Sequence, residues 1–108
     1  MDKRAEILKE IKQAVLAVDA EAEVVLFGSR ARGDFHEESD WDVLILVDKD
    51  EKDYEFKEIK TKIRSVLFDL ELKVAEVITG VVMGKFFWKD KLSESPLYWE
   101  VEKDGMLL

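Results

Sequence analysis

Two carboxylates stand two residues apart at the start of an apolar run, Ser39-Asp40-Trp41-Asp42 followed by Val43-Leu44-Ile45-Leu46-Val47. On an extended strand, residues two apart share a face, so Asp40 and Asp42 point the same way with Cβ atoms about 6–7 Å apart. Carboxylates so placed repel each other until a cation sits between them, and their oxygens suit a hard divalent ion such as Mg²⁺. Taken alone, the pair is more simply a solvated strand cap. A second feature changes the balance. The apolar run Glu23-Val24-Val25-Leu26-Phe27 closes on Gly28-Ser29. A glycine at a strand end lets the backbone approach a ligand closely, and a serine opening a short helix offers its hydroxyl and nearby N–H groups to a phosphate. That turn, too, would by itself be only a turn and an N-cap. If the two strands are neighbours, however, the ten residues between Ser29 and Asp40 bring anion donors beside a dicarboxylate. Phosphoryl and nucleotidyl transfer need that combination.

The elements that must position these residues follow from periodicity. Residues 3–18 read as a helix with Ile7, Leu8, Ile11, Ala14, Val15 and Val18 on one stripe and Asp2 as N-cap. Residues 23–27 read as a buried strand, 29–33 as a short helix, 34–39 as a polar loop, and 41–47 as a strand buried on both faces. Residues 53–70 carry a second amphipathic stripe: Phe56, Ile59, Ile63, Val66, Leu67 and Leu70. Residues 72–83 read as a third strand, and Ser95-Pro96 as the start of a helix running to about Lys103 and ending at Gly105. The order predicts an α/β (α+β) sandwich, a single domain over residues 1–108 with a small mixed sheet flanked by helices.

Composition narrows the chemistry. With no cysteine and one histidine, His36, a thiolate or zinc site is excluded, and any metal must be a hard cation held by carboxylates. A net charge of −8 argues against a broad nucleic-acid-binding face but leaves room for a local nucleotide site. No apolar run is long enough to span a bilayer and the first residues are not a signal peptide, so the expected location is cytoplasmic with no membrane partner.

Gly28-Ser29, ten residues, then Asp40-Trp41-Asp42 resembles the Gly-Ser-x(10)-Asp-x-Asp signature of the DNA polymerase β nucleotidyltransferase superfamily. The fuller string from Phe27 to Asp34, Phe-Gly-Ser-Arg-Ala-Arg-Gly-Asp, is similar to the minimal nucleotidyltransferases of bacteria and archaea, and so is the Ser-Pro-Leu-Tyr-Trp segment with its Glu-Lys-Asp-Gly-Met-Leu-Leu ending. The resemblance covers essentially the whole chain. It implies the nucleotidyltransferase fold, with Gly28 and Ser29 cradling a nucleoside triphosphate and Asp40 and Asp42 ligating Mg²⁺. Arg30 and Arg32 flank the cradle and could meet phosphate or acceptor, or equally pair with Asp34, Glu37 or Asp40. Family members commonly add a third carboxylate from a later strand. Glu76, a charge inside the apolar run Val74-Ala75-Glu76-Val77-Ile78, is the match, as catalytic residue and metal ligand. Asp69 and Glu71 read instead as caps.

The family further implies a partner. Minimal nucleotidyltransferases lack the domains that grip an acceptor and are commonly encoded beside a helical HEPN-domain toxin, onto whose tyrosine they transfer AMP from ATP. Two other readings stand beside this antitoxin role: a small-molecule transferase completed by a homo-oligomer or another subunit, and a non-catalytic binding module. Phe86, Phe87, Trp88, Tyr98 and Trp99 read mainly as core, any exposed remainder being a protein-binding face.

Overall fold

The computed structural model describes residues 3–108. The helix α1 (Lys3–Val18) buries Ile7, Ile11 and Val15, three members of the predicted stripe. The N-cap expected at Asp2 lies outside the described residues. Strand β1 (Glu23–Phe27) runs into α2 (Ser29–Arg32), and β2 (Trp41–Val47) follows the polar loop. The helix α3 (Tyr54–Val74) leads to β3 (Ile78–Gly84), α4 (Lys85–Lys91), α5 (Pro96–Asp104) and a two-residue strand, β4 (Met106–Leu107).

The four strands form one mixed sheet in the order β3-β2-β1-β4. β1 is antiparallel to both β2 and β4, and β2 is parallel to β3. Alternation along β2 explains its unbroken apolar run. Trp41, Val43, Ile45 and Val47 pack beneath α1 and α3, while Leu44 and Leu46 pack with Phe27, Trp88 of α4 and Val101 of α5 on the other face. Helices therefore cover both faces, and a central strand buried on both sides needs no polar residues until its mouth. Each large side chain sealed this way contributes about 1.5–3 kcal/mol. No helix among the described residues is long and apolar enough to cross a membrane.

The structure differs from the sequence expectation in two places. The third strand begins at Ile78 rather than 72, and α3 runs on to Val74. The β-branched run around Val74 reads as strand, but Val74 continues the helical stripe of Leu67 and Leu70 and packs against the same core. The helix stops one residue later, where Ala75 adopts a left-handed conformation (φ 57°) and donates its N–H to the Glu71 carbonyl. The Glu71 carboxylate in turn accepts the Ile78 N–H at 2.7 Å, which makes it the cap it was read as. The second difference is α4, a short helix whose Trp88 is buried and stacks on Tyr98 with ring centroids 5.1 Å apart. Helix α5 starts as read, with Ser95 accepting the Tyr98 N–H at 3.2 Å and Pro96 at its first turn.

Candidate active site

The strand pairing fixes the centre of the site. Phe27 pairs with Asp42 across β1 and β2, so the turn that follows Phe27 lands beside the mouth of β2. Gly28 has φ 74° and ψ −159°, a conformation open essentially to glycine alone. The backbone angle calls for glycine, and a Cβ there would also strike the Asp42 carboxylate and push it from its place. Ser29 then opens the four-residue α2, whose turn closes through the Ala31 and Arg32 N–H groups donating to the Gly28 carbonyl.

Asp42 lies on the α4/α5 face of the sheet, one position out from Leu44. Thr79 pairs with Asp42 from β3, and its hydroxyl lies 3.4 Å from an Asp40 carboxylate oxygen, so Asp40 faces the same side. Asp40 is exposed and Asp42 half-buried. Burial holds the Asp42 carboxyl above its ordinary value, and the negative charges of Asp40 and Glu100 push it the same way, while Arg32 alone opposes them. The site thus carries more negative charge than Arg32 offsets. Arg32 donates from Nε to Asp34 at 3.3 Å and from Nη1 to Glu100 of α5 at 2.9 Å.

Glu76 does not join this group, which corrects the expectation of a third carboxylate on β3. It lies between the end of α3 and the start of β3, and Oε1 accepts the Trp41 indole N–H at 2.9 Å. Trp41 belongs to the α1/α3 face, opposite to Asp42. Arg30 Nη2 lies 3.4 Å from the same Oε1, and Lys3 Nζ 3.3 Å from Oε2. Burial disfavours the Glu76 anion, but the Trp41 hydrogen bond, the hydrogen bond and charge of Lys3, and the charge of Arg30 outweigh it and hold the carboxyl below its ordinary value. Among the described residues, no three acidic or histidine side chains gather as they would around a metal ion.

Arg30 also lies apart from this group: of the two readings open to it, it takes an ion pair, with Glu76 in place of Asp34, Glu37 or Asp40. It is buried, with its guanidinium 4.2 Å from the Trp41 ring centroid and 4.7 Å from that of Phe35. It donates to the backbone carbonyls of Ser39 (3.0 Å from Nη2) and Glu37 (3.3 Å). Its work is to pin the 34–39 loop, and so to place Asp40. Of the two arginines, Arg32 is the one on the aspartate side.

Glu76 makes the stability of the fold depend on pH. Because its carboxyl is held low in the fold, its contribution to stability is full above the ordinary carboxylate range and is lost as pH falls through the folded value. Glu76→Gln keeps an acceptor for Trp41 but leaves Arg30 without its charge partner. It is expected to cost about 1–3 kcal/mol at neutral pH, a difference that closes in acid, as read by urea unfolding at both pH values.

Glu100 and Thr79 are the site neighbours that the sequence did not single out. A signal for Glu100 existed: in α5 it lies at the margin of the stripe formed by Leu97 and Val101, both turned inward. Thr79 carries no comparable signal, since its place depends on the β2–β3 register.

The chain matches the nucleotidyltransferase domain family model over residues 4–94. It is 40% identical over 82 residues to the "Putative protein adenylyltransferase MJ0141" of Methanocaldococcus jannaschii, covering 74% of this chain and 79% of that protein. It is 35% identical over 105 residues to the "Putative protein adenylyltransferase MJ0604" of the same organism, covering 93% and 95%.

Proposed function

Since the chain belongs to the nucleotidyltransferase domain family, we propose that it is a Mg²⁺-dependent protein adenylyltransferase, moving AMP from ATP onto a tyrosine of a partner HEPN-domain toxin. The observation that carries this reading is the packing of the Gly28 turn directly against Asp42, with Asp40 on the same face.

The residues present suit the metal. Asp42 is held above its ordinary value partly by Asp40, so a cation between them relieves a repulsion already in the fold. Mg²⁺ is usually held by one or two carboxylates together with substrate phosphates, so two aspartates suffice where no third gathers. When bound, it would neutralise phosphate oxygens and lower the pKa of the acceptor hydroxyl. Gly28 lets the chain approach the triphosphate, Ser29 offers its hydroxyl, and Arg32 offers a guanidinium suited to phosphate oxygens. The acceptor oxygen attacks the α-phosphorus, the bond from that phosphorus to the α,β-bridging oxygen breaks, pyrophosphate leaves with that oxygen, and the hydroxyl proton passes to solvent. A protein acceptor is supported by the names of the two relatives. Exposed Trp99, on the same helix as Glu100, and exposed Phe86 of α4 support it too, because aromatics anchor protein interfaces.

The test is to incubate the protein with Mg²⁺, each α-labelled nucleoside triphosphate in turn, and a HEPN-domain protein as acceptor. Label is expected on that partner from ATP, with stoichiometric pyrophosphate, and is lost when the acceptor tyrosine becomes phenylalanine. Binding of nucleotide without label on any protein would overturn the protein-acceptor reading. Failure to bind any nucleotide would overturn the enzyme.

A further inference from the structure

We propose that Glu100 is a positioning residue of the transfer site, holding the Arg32 guanidinium in the orientation in which it meets the triphosphate; this rests on the nucleotidyltransferase reading above.

Three observations carry it. The first is reach. The Arg32–Glu100 contact joins the helix that follows the Gly28 turn to the C-terminal helix, 68 residues away in sequence. The second is the shape of the clamp. Asp34 takes Nε at 3.3 Å and Glu100 takes Nη1 at 2.9 Å, so two carboxylates from different segments fix the plane of one guanidinium. A planar fork held at two nitrogens loses little further freedom when it meets a ligand, and among the described residues Nη2 is left without a protein partner. The third is location. Val101, next to Glu100, is buried against the Asp42 face of the sheet, so α5 delivers Glu100 to the rim where Asp42 lies. The charge of Glu100 reaches Asp42, and Arg32 is the cation that opposes it there.

The pair is not a stability device. Both side chains are more than a third exposed, and exposed ion pairs are worth little. A carboxylate beside an already overcharged acidic site raises a repulsion, which makes sense where it is needed to aim the arginine.

The experiment is a double-mutant cycle over Arg32→Ala and Glu100→Ala, with binding of the Mg²⁺ complex of α,β-methylene-ATP measured by calorimetry and melting followed in parallel. Arg32→Ala is expected to weaken binding about 10–100-fold, as for loss of a charged hydrogen bond. Glu100→Ala is expected to weaken it about 10-fold, as outer partners of a ligand-contacting group do, with the melting temperature nearly unmoved. Glu100→Gln, which keeps an acceptor for Nη1, should recover part of the loss. In the Arg32→Ala background, Glu100→Ala should cost nothing more. Unchanged or tighter binding by Glu100→Ala overturns the proposal, as does an equal loss with and without Arg32, since Glu100 would then act on the nucleotide site by itself. If the parent protein binds no Mg²⁺–nucleotide complex, it is the nucleotidyltransferase reading that fails.

Discussion

Asp42→Asn is expected to abolish transfer and, in the absence of metal, to make the protein more stable. Both effects have one source. Burial lifts the Asp42 carboxyl above the ordinary 3.8, the charges of Asp40 and Glu100 lift it further, and Arg32 only partly offsets them. A carboxyl raised in the fold is a cost to folding that grows as pH rises above its unfolded value and is fully present at neutral pH. The asparagine variant escapes that cost while keeping the shape packed against Gly28. Its advantage over the parent should therefore be present at neutral pH and vanish as pH falls below 3.8, where the parent's carboxyl is protonated in both states. In a domain of this size each kcal/mol moves the melting temperature by about 4–8 °C, so even modest relief is readable. Mg²⁺ with nucleotide should stabilise the parent and leave the variant unmoved. Transfer should fall by at least the about 10–100-fold that loss of an outer partner of a metal costs, because Asp42 would touch the ion itself. Equal melting of parent and variant at neutral pH without metal would count against the repulsion, and retained transfer would count against the metal site.

How far the sequence carries is set by the range of the interactions. β1 and β2 are legible because each is a continuous apolar run bounded by a residue that breaks the pattern: Gly28 after the first, Asp40 before the second. Their adjacency was a condition the sequence left open, and the pairing of Phe27 with Asp42 meets it and puts the turn beside the mouth of β2. The stripes of α1 and α3 are local and equally legible. Glu76 fails for a different reason. Val74, Val77 and Ile78 satisfy a strand pattern, and the decision that Val74 belongs to the helix is made by the core under α3 and by the Glu71 carboxylate reaching the Ile78 N–H. A charge in an apolar run did need a reason, and the reason is the Trp41 indole and Arg30, partners 35 and 46 residues away. The nucleotidyltransferase signature has the same limit. It names the two arginines after Ser29 without distinguishing them, because which one is sandwiched under the sheet depends on where Phe35 and Trp41 finish in space.

Arg30 yields the largest expected loss of stability. Its side chain is 6% exposed, lies between the Phe35 and Trp41 rings, donates to the Ser39 and Glu37 carbonyls and faces Glu76. Arg30→Ala removes the stack, leaves those carbonyls without a donor, and strips Glu76 of a charge partner in a mostly buried place. Breaking a buried, hydrogen-bonded charge pair from one side costs about 3–5 kcal/mol, a large share of the roughly 5–15 kcal/mol that holds a domain together. Arg30→Lys should recover only a minor part, since an ammonium can neither lie flat between two rings nor span two carbonyls as a fork. The loop ends on Ser39, next to Asp40, so nucleotide affinity should fall with stability rather than independently of it. Urea unfolding and nucleotide titration on the same two variants separate this from the role first expected of Arg30. A phosphate ligand would lose affinity at an unchanged unfolding midpoint, with lysine a fair substitute as a point charge. A loop anchor shifts the midpoint first, and lysine does not rescue it.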